Sequence, residues 1–159
     1  MLRIGVTGHM DITGGSYRLV AEALRVHLAR FEGDLVGVSC LAPGADSLFA
    51  AVVIELGGSL EVLVPSADYR QTQVPANQIA RFDAAIEAAD VVTVLPFDAA
   101  GPEAYAAANE AMLDSIDELV AVWDGRPAPD RGGTGGAVAE ARSRQVPVVV
   151  IWPDGAVRG

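Results

Sequence analysis

The chain has 159 residues, of which 51% are apolar and 20% are charged. This length and composition predict one globular domain and exclude a disordered chain. Its 11 basic residues, all of them arginine, face 21 acidic residues, for a formal net charge of −10. Because phosphate-tracking nucleic-acid binders need clustered cations, we expect no nucleic-acid partner. The apolar runs are too short to span a bilayer and no basic leader precedes the first of them, so we expect a cytoplasmic protein without a membrane partner.

The chain offers few metal ligands. Cys40 is the single cysteine, so neither an intramolecular disulfide nor a cysteine-based metal site can form. His9 and His27 are too few for a histidine-rich centre. Neither a GxxxxGK[ST] phosphate loop nor a GxGxxG fingerprint after the first strand is present. We therefore predict no metal and no resident cofactor.

Short β-branched runs alternate with alanine-rich helical stretches from end to end. Six of these runs are predicted to be strands, and each consists almost entirely of apolar residues, as is typical of strands covered on both faces. They are Leu2–Thr7, Leu35–Ser39, Leu60–Val64, Val91–Leu95, Leu119–Trp123 and Val148–Trp152. The predicted helices are Tyr17–Phe31, Ala45–Leu56, Gln78–Ala89, Glu103–Ser115 and Gly136–Arg144. This alternation predicts a Rossmann-like, doubly wound α/β fold, with a mainly parallel sheet of about six strands and helices on both faces. We expect one domain over residues 1–153 and a frayed tail over residues 154–159.

The loop after the first strand holds Gly8 and His9. Ligands of doubly wound sheets bind beyond the carboxyl ends of the strands, near the point where the strand order reverses. Gly8 lets a ligand approach the backbone, and a neutral imidazole at His9 can donate a hydrogen bond or act as an acid or base. A turn whose histidine caps a neighbouring group is the alternative for His9. His27 lies on the apolar stripe of a helix and is predicted to be a packed histidine.

The second strand leads into Gly44, Ala45 and Asp46, where a helix is predicted to begin. Backbone N–H groups at a helix start bind anions, so these three residues are candidate ligand contacts. Asp46 would also stabilise the helix dipole, which is its alternative role. Cys40 has no evident neighbouring cation and is interpreted as a small buried residue.

The longest irregular stretches are Ser66–Asn77 and Asp124–Gly135. The second of them contains Asp124 and ends in a glycine-rich run whose candidate ligand contacts are Gly132, Gly133, Thr134 and Gly135. A row of backbone amides at a helix start cradles phosphate, although a flexible surface loop is the alternative. On the preceding helix, Tyr105 and Asn109 lie one turn apart and could frame a base or a sugar, unless Tyr105 belongs to the core. Trp123 and Trp152 end their strands and are predicted to be core residues.

Taken in order, these motifs resemble the SLOG superfamily. The matching segments are IGVTGH at residues 4–9, LAPGAD at 41–46, YAAANEAM at 105–112, VAVWDG at 120–125 and GGT at 132–134. This Rossmann-like group includes the LONELY GUY phosphoribohydrolases, the DNA-processing Smf proteins and small stand-alone bacterial members. The resemblance covers residues 2–152. It implies a nucleotide or nucleoside-derivative pocket over the sheet, with the glycine loop on the phosphate.

The glycine loop departs from the phosphoribohydrolase pattern. That pattern is PGGxGTxxE, and its glutamate is catalytic. With the paired glycines aligned, Arg131 stands at the Pro position, Gly136 at the Thr position and Ala139 at the Glu position. Glu140 comes one residue late, a rotation of about 100° on a helix. The resemblance therefore implies a phosphate-binding frame more strongly than the hydrolase chemistry.

We predict a protein that binds a nucleotide or nucleotide-derived ligand as a sensor or carrier. One alternative is cleavage of the N-glycosidic bond of a nucleoside monophosphate, with Glu140, Asp124 and His9 as the candidate catalytic residues. Another is a non-catalytic interaction module that uses only the fold. We also expect a homo-oligomer, a dimer or tetramer, which pairs through Ala104–Ala108 or Ala84–Ala89.

Overall fold

A computed structural model describes residues 1–127 and 133–159 of the chain. The elements of this part, in chain order, are β1 (Leu2–Gly8), α1 (Gly14–Ala29), β2 (Leu35–Ser39), α2 (Ala45–Glu55), β3 (Ser59–Val64), α3 (Tyr69–Gln73), a 3-10 turn (Ala76–Gln78), α4 (Ile79–Ala88), β4 (Val91–Val94), α5 (Pro102–Ser115), β5 (Glu118–Val122), α6 (Thr134–Ser143) and β6 (Val148–Ile151). Within these residues, no helix is both long and apolar enough to cross a bilayer.

The six strands form one all-parallel sheet in the order β4-β3-β2-β1-β5-β6. In register, Leu2 of β1 lies opposite Leu35 of β2, and Ile4 lies opposite Glu118 of β5. The chain builds outwards from β1 to β4 and then returns to add β5 on the other side of β1. Helices α1, α2 and α4 cover one face, while α5 and α6 cover the other. The predicted Rossmann-like, doubly wound fold is confirmed, and the strand order reverses between β1 and β5.

The larger core lies between the sheet and the layer of α1, α2 and α4. Its fully buried side chains include Ile4, Leu24, Leu28 and Phe49, each of which stabilises the fold by roughly 1.5–3 kcal/mol on burial. His27 lies on the same buried stripe of α1 and bonds Glu118 at 2.8 Å through its Nε2 atom, so it is a packed histidine as predicted. This core fixes the strands whose carboxyl ends carry the candidate site.

The prediction that every strand is covered on both faces is wrong for β4. Val91, Val92 and Val94 are 46%, 41% and 53% exposed. The cause is topological, because β4 is the edge strand of the sheet and α5 lies mainly on β1 and β3. An apolar run in the sequence identifies a strand without telling whether a neighbour covers it.

Residues 156–159 form a segment that we name the C-terminal strap. We expected residues 154–159 to be frayed, but the strap is hydrogen-bonded to residues 13 and 16. The N–H and hydroxyl groups of Thr13 both donate to the Val157 carbonyl, at 3.1 and 3.0 Å. The Val157 N–H donates to Oγ of Ser16 at 2.8 Å, and an antiparallel bridge joins Ile12 to Arg158. The strap is held by these bonds because the loop after β1 presents unpaired backbone groups at this edge.

Candidate ligand-binding site at the carboxyl edge of the sheet

His9 and Asp124 meet at the point where the strand order reverses. The backbone N–H of Asp124 donates to Nε2 of His9 at 3.2 Å, and Oδ1 of Asp124 lies 3.3 Å from the same nitrogen. An amide N–H can only donate, so Nε2 accepts and the neutral ring carries its hydrogen on Nδ1. The His9 ring is 7% exposed and lies edge-on to Trp152, with 5.6 Å between the ring centroids. The two loops beyond β1 and β5 are thus joined through one imidazole.

The environment sets the charge of this pair. Burial lowers the pKa of His9, and the positive charge of Arg158 lowers it further, against the opposing effect of Asp124. Burial alone would raise the pKa of Asp124, but the Arg126 N–H, the His9 ring and Arg158 together hold it below its ordinary value. At neutral pH the pair therefore presents a neutral imidazole and an ionised carboxylate.

Gly8 and Gly44 allow the loops after β1 and β2 to close on each other. A Cβ at Gly44, whose φ is +85°, would lie 2.7 Å from the His9 carbonyl oxygen, and a Cβ at Gly8 would overlap the Cβ of Ala45. The Ala45 N–H donates to the His9 carbonyl at 3.2 Å. This amide, a predicted anion donor, is therefore already used to hold the loop of His9. The structure brings Gly8, His9, Gly44, Ala45 and Asp124 together, with the glycines and Ala45 as positioning residues.

Asp46 begins the same helix as a buried carboxyl group. Its Oδ2 accepts from the Ala42 N–H at 3.3 Å, and burial raises its pKa to about 7. Burial, with a smaller effect of Asp46, also raises the pKa of the Cys40 thiol above its ordinary value, which agrees with an unreactive cysteine. A direct ligand contact by Asp46 stays a prediction, since its side chain is 7% exposed.

Tyr105 and Asn109 lie on a different part of the edge. The Tyr105 ring is 40% exposed and stands edge-on to Tyr69, with centroids 6.4 Å apart. Asn109 is half-buried on the same helix. Tyr69 follows β3, so Tyr105 lies on the β3 side of the edge. Within residues 1–127 and 133–159, neither Tyr105 nor Asn109 hydrogen-bonds to His9 or Asp124.

The glycine-rich run begins α6. Gly133 is the N-cap, and its carbonyl accepts from the N–H groups of Gly136 and Ala137 at 3.0 and 3.2 Å. The N–H groups of Thr134 and Gly135 have no acceptor within residues 1–127 and 133–159. Two donors at the positive end of a helix dipole suit an anion. Gly132, the remaining predicted contact of this run, lies outside the described residues, as does Arg131.

A cavity of about 360 Å³ lies beside this helix start. It is lined by Trp123, Gly125, Pro127, Gly135, Gly136, Val138, Ala139 and Arg142. The indole Nε1 of Trp123 donates to the Arg126 carbonyl at 3.0 Å, which fixes the ring at the cavity mouth. Asp124 stands between Trp123 and Gly125 in the chain, but neither Asp124 nor His9 is among the described residues that line the cavity. Its size and mainly apolar wall are typical of small-molecule sites.

Sequence reasoning missed three residues of this region. Trp123 was predicted to be core but lines the cavity, whereas Arg142 and Arg158 were not singled out. The position of Arg142, seven residues after Gly135 and thus on the same helix face, is the signal that could have identified it. Arg158 comes to the site on the C-terminal strap, where its Nε atom lies 2.9 Å from Oδ1 of Asp11.

Glu140 lies apart from the site. Its carboxylate accepts from Nε of Arg144 at 3.0 Å on the exposed side of α6. It stands six residues after Thr134, about 9 Å further along the helix axis. The structure therefore does not bring Glu140 to His9 and Asp124, the other two candidate catalytic residues.

No protein-family model and no curated protein matches the sequence, but solved structures match the fold. DNA processing protein A (DprA) from Streptococcus pneumoniae aligns with a TM-score of 0.69 and 16% identity over 98% of this chain and 52% of that one. The molybdenum cofactor binding protein from Rippkaea orientalis aligns with a TM-score of 0.63 and 20% identity over 96% and 77%. DprA from Helicobacter pylori aligns with a TM-score of 0.64 and 18% identity over 99% and 68%. The chain spans about half the length of the pneumococcal DprA chain.

These likenesses correct one expectation and support another. The exclusion of nucleic acid is wrong, because the Helicobacter pylori DprA structure is described by its single-stranded DNA binding mode. Net charge is an average over the whole chain and does not by itself exclude such a partner. At 16–20% identity these matches show the fold alone: the chain has the Rossmann-like fold that the resemblance implied.

Proposed function

We propose that the chain binds a nucleotide or nucleotide-derived ligand at the carboxyl edge of its sheet, as a carrier or sensor. The observation that carries the proposal is the cavity of about 360 Å³ between the glycine turn of α6 and the loop that holds Asp124. The N–H groups of Thr134 and Gly135 are suited to a phosphate. The apolar wall, which includes Trp123, suits a planar ring.

Binding without turnover fits this site better than N-glycosidic hydrolysis. An oxocarbenium-like centre needs a carboxylate beside it and an activated water. Asp124 is the carboxylate at hand, with a side chain 12% exposed, and Nε2 of His9 already accepts the Asp124 N–H. Glu140 is held by Arg144 on another face of α6. The shared fold of the molybdenum cofactor binding protein gives further support to a carrier.

A binding screen followed by product analysis tests the proposal. The protein would be melted in the presence of nucleoside mono-, di- and triphosphates, NAD, cyclic nucleotides, molybdenum cofactor and a single-stranded oligonucleotide. A ligand at 100 times its Kd stabilises the folded state by about 2.7 kcal/mol. Stabilisation by a small ligand that is recovered intact supports the carrier or sensor, whereas released free base supports the phosphoribohydrolase. If none of the small ligands stabilises the protein, the proposal is overturned and an interaction module takes its place.

A pair of glycine substitutions then locates the phosphate. Gly135→Asp places a negative charge in the first turn of α6, where the helix dipole tolerates it but a ligand phosphate would be repelled. Gly15→Asp makes the same change in the first turn of α1, where a side chain meets open space. We expect Gly135→Asp to abolish ligand binding in a folded protein and Gly15→Asp to preserve it. Equal binding by both variants would place the phosphate elsewhere.

Self-association also belongs to the proposal. Ala104 and Ala108 are buried, so Tyr105 and Ala106 are the exposed residues of the first predicted pairing stretch. The exposed valines of the edge strand β4 are a better candidate, since apolar edges are prone to pair. Light scattering on a size-exclusion column tests this, and a monomer at all concentrations would remove the homo-oligomer.

A further inference from the structure

We infer that Arg142 recognises a second anionic group, so that the cavity takes a ligand with two acidic groups, such as a diphosphate or a phosphate joined to a carboxylate. This inference rests on the proposed function and names the class of ligand for the same site. Of the described residues that line the cavity, Arg142 is the charged one.

The geometry of α6 directs Arg142 at the cavity. Gly135, Val138, Ala139 and Arg142 recur at helical spacing and all line it, while Glu140 and Arg144 lie towards α5. Arg142 stands about 10 Å beyond Gly135 along the axis. Side chains on a helix lean towards its N-terminus, so the guanidinium reaches back towards the glycine turn. The N–H donors of the turn and the guanidinium would then be roughly 5–10 Å apart, a gap that the oxygens of a diphosphate, or of a phosphate and a carboxylate, can bridge.

Arg142 is available to a ligand. No carboxylate of the described residues lies within ion-pair distance of it, whereas Arg144, two residues later, contacts Glu110, Asp114 and Glu140. Other arginines of the described residues, such as Arg30, also lack such a carboxylate, so it is the place of Arg142 on the cavity wall that distinguishes it. A guanidinium binds phosphate or carboxylate through two parallel hydrogen bonds. On an otherwise apolar wall, such a group selects an acidic ligand over a neutral one of the same shape.

The test uses pairs of ligands that differ by one acidic group. ADP and AMP differ by a phosphate, and orotidine 5′-monophosphate and UMP differ by a carboxylate. Calorimetric titration of the full chain should show at least tenfold tighter binding of the more acidic member of one pair or both. The pair that responds identifies whether phosphate or carboxylate is the second group.

Variants then assign the preference to Arg142. Arg142→Gln should erase the preference within the responding pair and leave the affinity for the less acidic member within about threefold, since charge-assisted bonds to that one group are lost. Arg142→Lys should retain part of it, because the charge remains without the planar fork. Arg30→Gln removes the same charge from the far end of α1 and should change nothing.

The outcomes separate this inference from the proposed function. Wild-type protein that binds the ligands without preferring the more acidic members overturns the role of Arg142 alone. Equal losses for both members of a pair in Arg142→Gln would show a general field effect and would also overturn it. Absence of binding by all four ligands overturns the inference, whereas the function on which it rests is overturned only when none of the small ligands of the melting screen stabilises the protein.

Discussion

The backbone N–H of Asp124 donates to Nε2 of His9 at 3.2 Å, while the carboxylate of the same residue lies 3.3 Å from that nitrogen. One residue thus offers both a donor and an acceptor to a single ring atom. The neutral imidazole uses the N–H, and a protonated imidazole would bond the carboxylate instead. The protonation state of His9 is therefore felt by the loop after β5, where the ligand cavity begins.

Arg158→Gln should raise the pKa of His9. The positive charge of Arg158 disfavours a protonated imidazole, so its removal makes protonation easier. Titration of the imidazole C–H resonances by NMR measures the change, and His9→Gln assigns them, since the chain has two histidines. Arg25→Gln, a change of equal charge on the middle of α1, should leave the His9 titration in place. A lower pKa of His9 in Arg158→Gln would contradict the placement of the strap.

Asp46→Asn should stabilise the protein above neutral pH. Burial raises the pKa of Asp46 from 3.8 to about 7 in the folded state, so folding favours the protonated acid. The contribution of Asp46 to the free energy of unfolding is most favourable below pH 4, declines as the pH rises towards 7 and is then constant. This contribution differs between the two ends of the range by on the order of 4 kcal/mol. Asparagine keeps an acceptor for the Ala42 N–H and carries no charge.

Urea unfolding between pH 4 and pH 8 checks this prediction. The free energy of unfolding should change less with pH in Asp46→Asn than in the wild type. Asp83 is an exposed carboxylate whose bond to Arg70 lowers its pKa, so Asp83→Asn should leave the pH dependence in this range unchanged. A wild-type stability that rises steadily across the range would show that Asp46 titrates normally.

Gly44→Ala should destabilise the fold far more than Gly33→Ala. Both glycines have a positive φ, of +85° and +89°, but a Cβ at Gly33 meets no atom within 4 Å. Gly33→Ala therefore has only the backbone cost of about 1 kcal/mol. A Cβ at Gly44 also overlaps the His9 carbonyl and Met10, which raises the loss to about 3 kcal/mol or more. Equal melting temperatures for the two variants would mean that the β1 and β2 loops are not in contact.

Glu140→Gln should change neither ligand affinity nor any release of free base. Its carboxylate is bonded to Arg144 on the outer side of α6, and loss of an exposed ion pair alters stability by less than about 1 kcal/mol. Chromatographic analysis of product from wild type and variant provides the comparison. Activity in the wild type that disappears in Glu140→Gln would restore the phosphoribohydrolase assignment.

The elements that were predicted well from the sequence are those whose own residues form a recognisable pattern. β2 has the predicted bounds, Leu35–Ser39, because a buried apolar run carries its own signal. Helix α3, over Tyr69–Gln73, fell within a stretch predicted to be irregular because five residues are too few to show helical periodicity.

The parts of the site that sequence reasoning missed depend on contacts between distant segments. The strap bonds Thr13 to Val157 across 144 positions, and the exposure of β4 follows from strand order. For the same reason, Gly44 and Ala45 were predicted as ligand contacts, but their role in closing the loop on His9 became visible only in three dimensions.

The position of β5 beside β1 has a consequence for folding. Strands β1 to β4 follow one another in sequence and can pair one after the other, but His9 and Asp124 are 115 residues apart. Their contact must wait until the chain returns to the first strand and closes a very long loop, a slow event in high-contact-order folds. A half-formed sheet would hold β1 to β4 and lack the cavity. The ligand should therefore bind only the completed sheet and act as a chemical reporter of the last stage of assembly.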